Sequence, residues 1–309
     1  MKTVVLAGGT GGAKLAAALQ SLVPAGDLTV IANTADDDEF WGLLVSPDVD
    51  AVLYRLAGWF NEDAGYGVKD DSFNALEMLG RLGEPTWFRI GDKDLATNML
   101  RAEMLRHGSS LTAASLELCR RLDLKARVLP MTDEKVRTRF GTDQGELSFQ
   151  DYFVRERLAP VLHSIQFAGI EHAKPTREVL SALAEADVIV IGPSNPLISI
   201  DPILNVVGPY LARERTVAIT PIVGGIALKG PTIEMLSALG FEPSPLEVAR
   251  RYLAVAGAFV LDAHDGDLTV AIEQLGYRVV VCDTVMSDGG FALAGAIMAA
   301  FGGASVEQP

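Results

Sequence analysis

Cysteine and histidine are scarce in this sequence of 309 residues, which contains two cysteines and four histidines. Cys119 and Cys282 lie far apart and form no C-x-x-C motif, and the histidines do not follow the spacing of zinc ligands. The fold therefore does not depend on a disulfide framework or a structural zinc ion. One disulfide between the two cysteines stays open, but their apolar flanks favour two reduced core residues.

Lysine is also scarce, with eight residues, and the formal net charge is -14. Proteins that bind nucleic acid need clustered Lys and Arg, so this composition argues against a nucleic-acid partner. A small anion could still bind where a lysine, backbone N–H groups or a divalent cation supply local positive charge. Three of the lysines lie in Gly- or Asp-rich stretches, namely Lys14, Lys93 and Lys229.

Long hydrophobic runs are missing as well. The apolar stretch 292–304 is rich in Gly and Ala and is too short to span a bilayer. The N-terminus leads directly into a strand pattern without the basic region of a signal peptide. We therefore expect a soluble, cytoplasmic protein without a membrane partner. Its 49% hydrophobic content provides an ample core for one large domain or two closely joined ones.

The regular pattern of the chain is an alternation of strands and helices. Nearly continuous apolar runs predict strands buried on both faces of a parallel sheet. These runs are Thr3–Ala7, Leu28–Ala32, Val188–Ile191, Val217–Thr220, Ala258–Leu261 and Val279–Cys282. Amphipathic stretches predict helices over Lys14–Leu22, Thr176–Glu185, Ile203–Ala212, Thr232–Leu239 and Pro245–Ala254.

This alternation predicts an α/β fold with a Rossmann-like, doubly wound, mostly parallel sheet, in a single domain over residues 1–309. Residues 52–175 differ, because they show helical patterns and few strand patterns. We expect a largely helical insertion there, and we expect it to cover the strand ends.

The first predicted strand leads directly into a loop with four glycines, residues 8–12, followed by Ala13 and Lys14. The loop is not a P-loop, since Ala13 stands where that motif needs Gly, and its spacing also fails G-x-G-x-x-G. A strand, a glycine turn and a helix nevertheless place free N–H groups at a helix N-terminus, which favours an anion. The predicted phosphate site consists of Gly9, Thr10, Gly11, Gly12 and Lys14.

An acidic run, residues 36–39, follows the second predicted strand. Consecutive acids repel one another, and a bound Mg²⁺ would explain them because it takes carboxylate and phosphate oxygens together. Asp36 and Asp37 are therefore predicted as Mg²⁺ ligands and as catalytic residues, one carboxylate accepting a proton. Asp48 and Asp50 would point the same way if their segment is extended, and could be metal ligands or substrate anchors.

Further polar loops occur later in the chain. The segment 91–98 presents Lys93 between two aspartates, an arrangement that suits a polar ligand better than a helix cap alone. The loop after the predicted strand Val188–Ile191 is a stiff turn between two prolines. The loop after Val217–Thr220 contains a Gly-Gly pair, which allows the backbone to approach a ligand closely. Their predicted nucleotide-binding residues are Ser194, Asn195, Gly224 and Gly225.

Taken together, these stretches resemble the 2-phospho-L-lactate transferase family, known as CofD in archaea and FbiA in actinobacteria, which makes the redox coenzyme F420. The resemblance covers roughly residues 3 to 231. It rests on the segments 8–15, 33–37, 46–54, 91–97, 192–200 and 221–225. One departure is clear: Asn98 stands where the family pattern has His.

The resemblance implies a specific chemistry. A guanosine diphosphate ester of a three-carbon acid is the donor, and 7,8-didemethyl-8-hydroxy-5-deazariboflavin (FO) is the acceptor. The ribityl hydroxyl of FO attacks the distal phosphorus, GMP leaves, and Mg²⁺ is required. Asp50, Lys93 and Asp92 would contact FO, and Asp48 would join Asp36 and Asp37 around the metal. The family also implies a homodimer.

Two other functions stay open. A related branch binds nucleotide-sugars and acts as a regulator, although the segments 91–97 and 48–50 match the transferases. The strand–glycine–helix start would also suit a nicotinamide-dependent oxidoreductase, but the failed glycine spacing and the acid cluster count against it. The sequence does not distinguish among phospholactate, phosphoenolpyruvate and 3-phosphoglycerate as the transferred group.

Overall fold

The computed structural model describes residues 1–301, which form fourteen strands and eleven α-helices. The strands are β1 (Thr3–Ala7), β2 (Leu28–Ala32), β3 (Asp38–Phe40), β4 (Leu43–Val45), β5 (Arg127–Pro130), β6 (Arg137–Thr142), β7 (Gly145–Ser148), β8 (Leu162–Ala168), β9 (Val188–Ile191), β10 (Thr216–Ile219), β11 (Ile222–Val223), β12 (Ile226–Ala227), β13 (Ala258–Asp262) and β14 (Arg278–Cys282). The helices are α1 (Gly9–Leu22), α2 (Pro47–Leu56), α3 (Asn74–Arg81), α4 (Asp92–Arg106), α5 (Leu111–Arg121), α6 (Arg177–Glu185), α7 (Asp201–Val207), α8 (Thr232–Ala238), α9 (Pro245–Tyr252), α10 (Thr269–Gln274) and α11 (Phe291–Phe301).

Seven parallel strands form the central sheet in the order β14-β13-β10-β9-β1-β2-β5. The chain proceeds outward from β1 through β2 to β5 on one side, and from β9 through β10 and β13 to β14 on the other. The topological switch point therefore lies between β1 and β9, where ligands bind in doubly wound sheets. This topology confirms the predicted α/β fold with a Rossmann-like, doubly wound parallel sheet.

The core lies on both faces of the sheet. Leu6 and Ile31 face one cluster of buried apolar residues, whereas Val5 and Val30 face the other. Because successive strand residues point to opposite faces, burial on both sides requires the nearly continuous apolar runs that predicted these strands.

The predicted largely helical insertion over residues 52–175 is correct only in its first half. Helices α3, α4 and α5 occupy the part up to Arg121. The second half is not helical, because β5 pairs with β2 as the edge of the central sheet and β6, β7 and β8 form a three-stranded antiparallel sheet. The strand β6 alternates charged and buried residues, and β5 has only four residues with Arg127 exposed, so neither gives an apolar run.

Within residues 1–301, no helix is long and apolar enough to cross a membrane. The apolar stretch 292–304 forms most of α11, and residues 302–304 lie outside the described part. The end of the predicted single domain, residues 302–309, also lies outside it.

Candidate active-site cleft

The glycine loop and the loop after β9 meet at the switch point. Helix α1 begins at Gly9, and Gly8 at its N-cap offers no side chain to the free N–H groups of the first turn. A Cβ at Gly11 would lie 2.5 Å from the carbonyl oxygen of Pro193, so the close approach of the two loops requires glycine. The sequence predicts a phosphate site at this first turn of α1, and that site stays a prediction.

A cleft of about 470 Å³ lies beside this loop. Gly9 and Thr10 line one part of it, and Asp48, Asp50 and Tyr54 of α2 contribute to its wall. Three aromatic and two cationic residues that the sequence analysis missed also line the cleft, namely Tyr66, Trp87, Phe88, Arg89 and Arg157. Lone aromatic residues and arginines give no sequence signal. Together they make the cleft suitable for a flat heterocycle and an anion.

Buried carboxylates adjoin the glycine loop. Asp48 accepts a hydrogen bond from the N–H of Gly9 at 2.6 Å, and the side-chain amide of Asn33 donates to both Asp48 (2.9 Å) and Asp36 (3.0 Å). Burial raises the pKa of Asp48 to about 6. It raises the pKa of Asp36 well above its usual value, and the charge of Asp48 adds to this effect. The pair thus favours a neighbouring cation or a proton.

Asp37 faces a different environment. It is buried, its Oδ1 has no hydrogen-bond partner among residues 1–301, and burial raises its pKa to about 7. Ser46 lies beside its carboxyl group, and the charges of Arg137 and Arg101 are near it. Asp37 is therefore not part of the hydrogen-bonded link through Asn33 that joins Asp36 and Asp48.

The predicted metal trio of Asp36, Asp37 and Asp48 does not converge. In the described part of the chain, no group of three or more His, Cys, Asp or Glu side chains is arranged to hold a metal ion. None of the three carboxylates forms an ion pair with another described residue. These residues therefore fit Mg²⁺ only if one or two of the carboxylates bind it and if phosphate oxygens of a substrate and water molecules fill the rest of its coordination shell.

Asp50 forms a buried ion pair instead of projecting beside Asp48. Both of its carboxylate oxygens accept hydrogen bonds from the guanidinium group of Arg101, whose side chain is 0% exposed. Arg101 also donates to the side-chain oxygen of Asn98 at 2.9 Å. The expectation that Asp48 and Asp50 point the same way is wrong, because Pro47 begins a helix and not an extended segment.

The structure places Lys93 and Asp92 outside the cleft. Asp92 accepts hydrogen bonds from the N–H of Ala75 (2.9 Å) and from Ser72 (2.7 Å), and these bonds lower its pKa to about 2. It thereby satisfies the N-terminus of α3. The ammonium group of Lys93 donates to the carbonyl oxygen of Asp70 at 2.6 Å, and its side chain lines a separate groove of about 640 Å³.

Lys14 also lies away from the cleft. It lines a separate cavity of about 340 Å³ together with Arg55 and Lys69. Ser194 lies at the switch point, where its buried hydroxyl lacks a hydrogen-bond partner in the described residues and approaches Gly12. The structure thus places the hydroxyl of Ser194 next to the glycine loop, whereas the side chain of Lys14 lines a different cavity.

The remaining predicted nucleotide-binding residues have structural roles. The side-chain oxygen of Asn195 accepts the N–H of Leu197 at 2.9 Å and caps the turn that follows. Gly224 and Gly225 are exposed at the two-residue turn between β11 and β12, with φ of 56° and 75°. Such a turn requires positive φ at both positions, so the hairpin alone explains the two glycines.

Asp94 is the residue of the 91–98 segment that lines the cleft. The hydroxyl of Tyr54 donates to its Oδ1 at 2.8 Å. Neither Asp94 nor Tyr54 was predicted as a site residue, although the spacing of polar residues after Asp94 was a signal for the former. Asp94, Asn98 and Arg101 are spaced i, i+4 and i+7, which places polar side chains on one face of a helix.

The fold and the cleft together define a Rossmann-like α/β protein with a glycine-rich loop at its switch point. The chain matches the family model of 2-phospho-L-lactate transferase CofD over residues 3–284 and belongs to this family.

Curated relatives agree with the family over nearly their whole length. The chain is 40% identical to a 2-phospho-L-lactate transferase of Methanopyrus kandleri over 294 residues, which is 93% of each protein. It is 36% identical to a 2-phospho-L-lactate transferase of Methanosarcina acetivorans over 92% of this chain and 93% of the relative. It is 39% identical to a phosphoenolpyruvate transferase of Streptomyces griseus over 93% of this chain and 94% of the relative.

A solved structure shares the fold. A UPF0052 family protein of Bacillus halodurans superimposes with a TM-score of 0.60 over 96% of this chain and 98% of that chain. The identity between the two is 19%, so this likeness concerns the fold alone.

Proposed function

We propose that this protein transfers a phospho-three-carbon-acid group from a guanosine diphosphate ester to the ribityl hydroxyl of FO and releases GMP, a step of coenzyme F420 biosynthesis. The transferred group is 2-phospho-L-lactate, phosphoenolpyruvate or 3-phosphoglycerate. The names of the relatives support a transferase of this kind, and they include both phospholactate and phosphoenolpyruvate transferases.

The observation that carries the proposal is the set of residues that line the cleft at the switch point. The glycine loop, buried carboxylates and an aromatic rim line the same 470 Å³ space. The reaction needs all three, since a pyrophosphate, a reacting hydroxyl and a flat tricyclic ring must lie together. Phosphoryl transfer depends mainly on such positioning and on charge stabilisation.

Different residues of the cleft hold the donor phosphate, supply positive charge and cover the ring of FO. The N–H groups of Thr10 and Gly11 at the start of α1 hold donor phosphate, because Asp48 already occupies the N–H of Gly9. Arg89 and Arg157 add positive charge at the cleft in a protein with a net charge of -14. The aromatic rim covers the ring of FO and excludes water, which would otherwise attack the donor.

Asp48 is the carboxylate best placed to touch the reacting groups. It lines the cleft next to the glycine loop, whereas Asp36 and Asp37 do not line it. Burial raises its pKa to about 6, and a neighbouring cation would stabilise its charged form. Asp36 and Asp48 would hold Mg²⁺ together with donor phosphate, and the ion would neutralise charge on the pyrophosphate.

Product analysis tests the proposal directly. The purified protein is incubated with FO, Mg²⁺ and each of the three guanosine diphosphate esters, and the products are identified by mass spectrometry. We expect a phosphodiester of FO and an equal amount of GMP with at least one donor. Hydrolysis of the donor without an FO product, or binding of a nucleotide-sugar without turnover, would contradict the proposal.

We also propose that the protein acts as a homodimer, as the family resemblance implies, and that it does so in the cytoplasm, as the sequence pattern predicts. Light scattering after size-exclusion chromatography tests the assembly, with about twice the chain mass of 32.9 kDa as the expected result.

A further inference from the structure

Asp94 offers one open carboxylate oxygen to the cleft. Its Oδ1 accepts hydrogen bonds from the hydroxyl of Tyr54 (2.8 Å) and the side-chain amide of Asn98 (3.1 Å). Its Oδ2 has no hydrogen-bond partner among residues 1–301. This oxygen faces Gly67, where a Cβ would lie 3.6 Å from it. One half of the carboxyl group is therefore fixed and the other half is available to a ligand.

Asp94 lies at the part of the cleft away from the glycine loop. Asp48 contacts Gly9, and Tyr54 contacts Asp94, and both belong to α2. Six residues of helix separate them, which corresponds to about 9 Å along the axis. A ligand with its reacting hydroxyl at the glycine loop would therefore present its other end to Asp94.

Asp94 forms no ion pair with a described residue. Arg101, seven residues later on α4, is engaged by both oxygens of Asp50 on α2. In the segment between α2 and α3, the carboxylate of Asp71 accepts a hydrogen bond from the backbone N–H of Asp94 at 3.1 Å. Burial and the charge of Asp50 raise the pKa of Asp94 to about 7. A hydrogen-bond donor from a ligand would satisfy the open oxygen.

We propose that Asp94 recognises the ring of the acceptor, accepting on Oδ2 a hydrogen bond from an N–H or O–H group of the heterocycle. Tyr54 and Asn98 orient the carboxyl group through Oδ1, and Gly67 leaves space for the ring. The inference rests on the proposed function, because that function places the ribityl hydroxyl at the glycine loop and the ring at the opposite end. Asp94 is thus a specificity residue for the acceptor and does not contact the donor.

The test compares acceptor and donor binding in matched variants. FO is titrated by its fluorescence and GDP by calorimetry, on the parent, Asp94→Asn, Tyr54→Phe and Glu103→Gln. Glu103 is an exposed carboxylate on the same helix and serves as the control. We expect Asp94→Asn to weaken FO binding 10- to 100-fold, since a hydrogen bond to a charged group is lost. GDP affinity should stay within twofold.

Tyr54→Phe should weaken FO less, about 3- to 10-fold, because it removes only the group that orients Asp94. In turnover, Asp94→Asn should raise the KM for FO more than it lowers kcat. Equal FO affinity in the parent and Asp94→Asn overturns the inference, as does an equal loss of FO and GDP binding. Absence of FO binding by the parent would instead refute the proposed function.

Discussion

Removing the carboxylate of Asp50 should lower the stability of the fold considerably, because this carboxylate pairs with the buried Arg101. Arg101 is 0% exposed, and its guanidinium group is held by Asp50, the side chain of Asn98 and the carbonyl oxygen of Leu44. The variant Asp50→Ala would leave this charge buried with only neutral acceptors in direct contact. Breaking a buried pair in this way costs about 3–5 kcal/mol. Because two neutral acceptors remain, we expect a loss near the lower end, about 3 kcal/mol.

Urea unfolding followed by circular dichroism measures this loss, with Glu77→Ala as the matched control. Glu77 pairs with Arg81 on α3, and the side chains are 64% and 71% exposed. Exposed pairs contribute about 0–1 kcal/mol, so the control should change stability little. The double variant Asp50→Leu/Arg101→Met removes both charges and should recover most of the lost free energy of unfolding.

Two outcomes would refute the reasoning. In the first, Asp50→Ala loses no more stability than Glu77→Ala, which would mean that the charge of Arg101 is not desolvated. In the second, the double variant is as unstable as Asp50→Ala, which would mean that lost packing and not the unpaired charge causes the effect.

Three further predictions follow from the cleft and its loops. Gly11→Ala should lose about 1–3 kcal/mol of unfolding free energy because its Cβ would meet Pro193, whereas Gly295→Ala, with open space and a helical position, should be neutral or stabilising; denaturant unfolding separates them. The folded-state pKa of Asp94 is about 7 against an ordinary 3.8, so its protonated form supports stability at low pH and this support is lost as pH rises from about 4 to about 7. Asp94→Asn should therefore show a shallower decline in melting temperature over that range, and an unchanged decline would contradict the assignment. Mg²⁺ added with GDP should raise the melting temperature of the parent but not that of Asp48→Asn, and equal shifts would exclude Asp48 from the metal site.

The sequence predicted the parts of the fold that depend on local pattern. The bounds of β1, β2 and β9 agree with the predicted strands to the residue, because strands buried on both faces must be continuously apolar. The glycine loop was predicted for a similar reason, since a strand followed by glycines and a helix has few other conformations. By contrast, β5 at the sheet edge carries the exposed Arg127, and β6 in the three-stranded sheet carries the half-buried Arg137 and Arg139, so neither strand has the apolar signal.

The parts of the site that depend on distant residues could not be predicted. Asp50 and Arg101 are 51 residues apart, and the link from Asn33 to Asp48 crosses 15 residues and several elements. Lys93 was predicted as a ligand-binding residue because it is charged and flanked by aspartates. Its contact with the carbonyl oxygen of Asp70, which gives it a role in holding the loop, exists only in the folded chain.

Two pairs of acids with the same spacing show how helices divide structural and ligand-binding roles. Asp48 and Asp50 lie in the first turn of α2, and Asp92 and Asp94 lie in the first turn of α4. Residues two apart on a helix are separated by about 200° around its axis, so the members of each pair face different neighbours. In each pair one member joins its helix to another element: Asp50 forms an ion pair with Arg101 of α4, and Asp92 accepts hydrogen bonds at the start of α3.

The other members, Asp48 and Asp94, line the cleft and form no ion pair with a described residue, whereas Asp50 also lines the cleft but is paired with Arg101. The bound acid fixes the position of its helix, and the helix in turn positions the acid that faces the cleft. A substitution of the bound acid should therefore act first on stability and weaken all ligands together. A substitution of the acid in the cleft should act on one ligand, the donor for Asp48 and the acceptor for Asp94, while the fold persists.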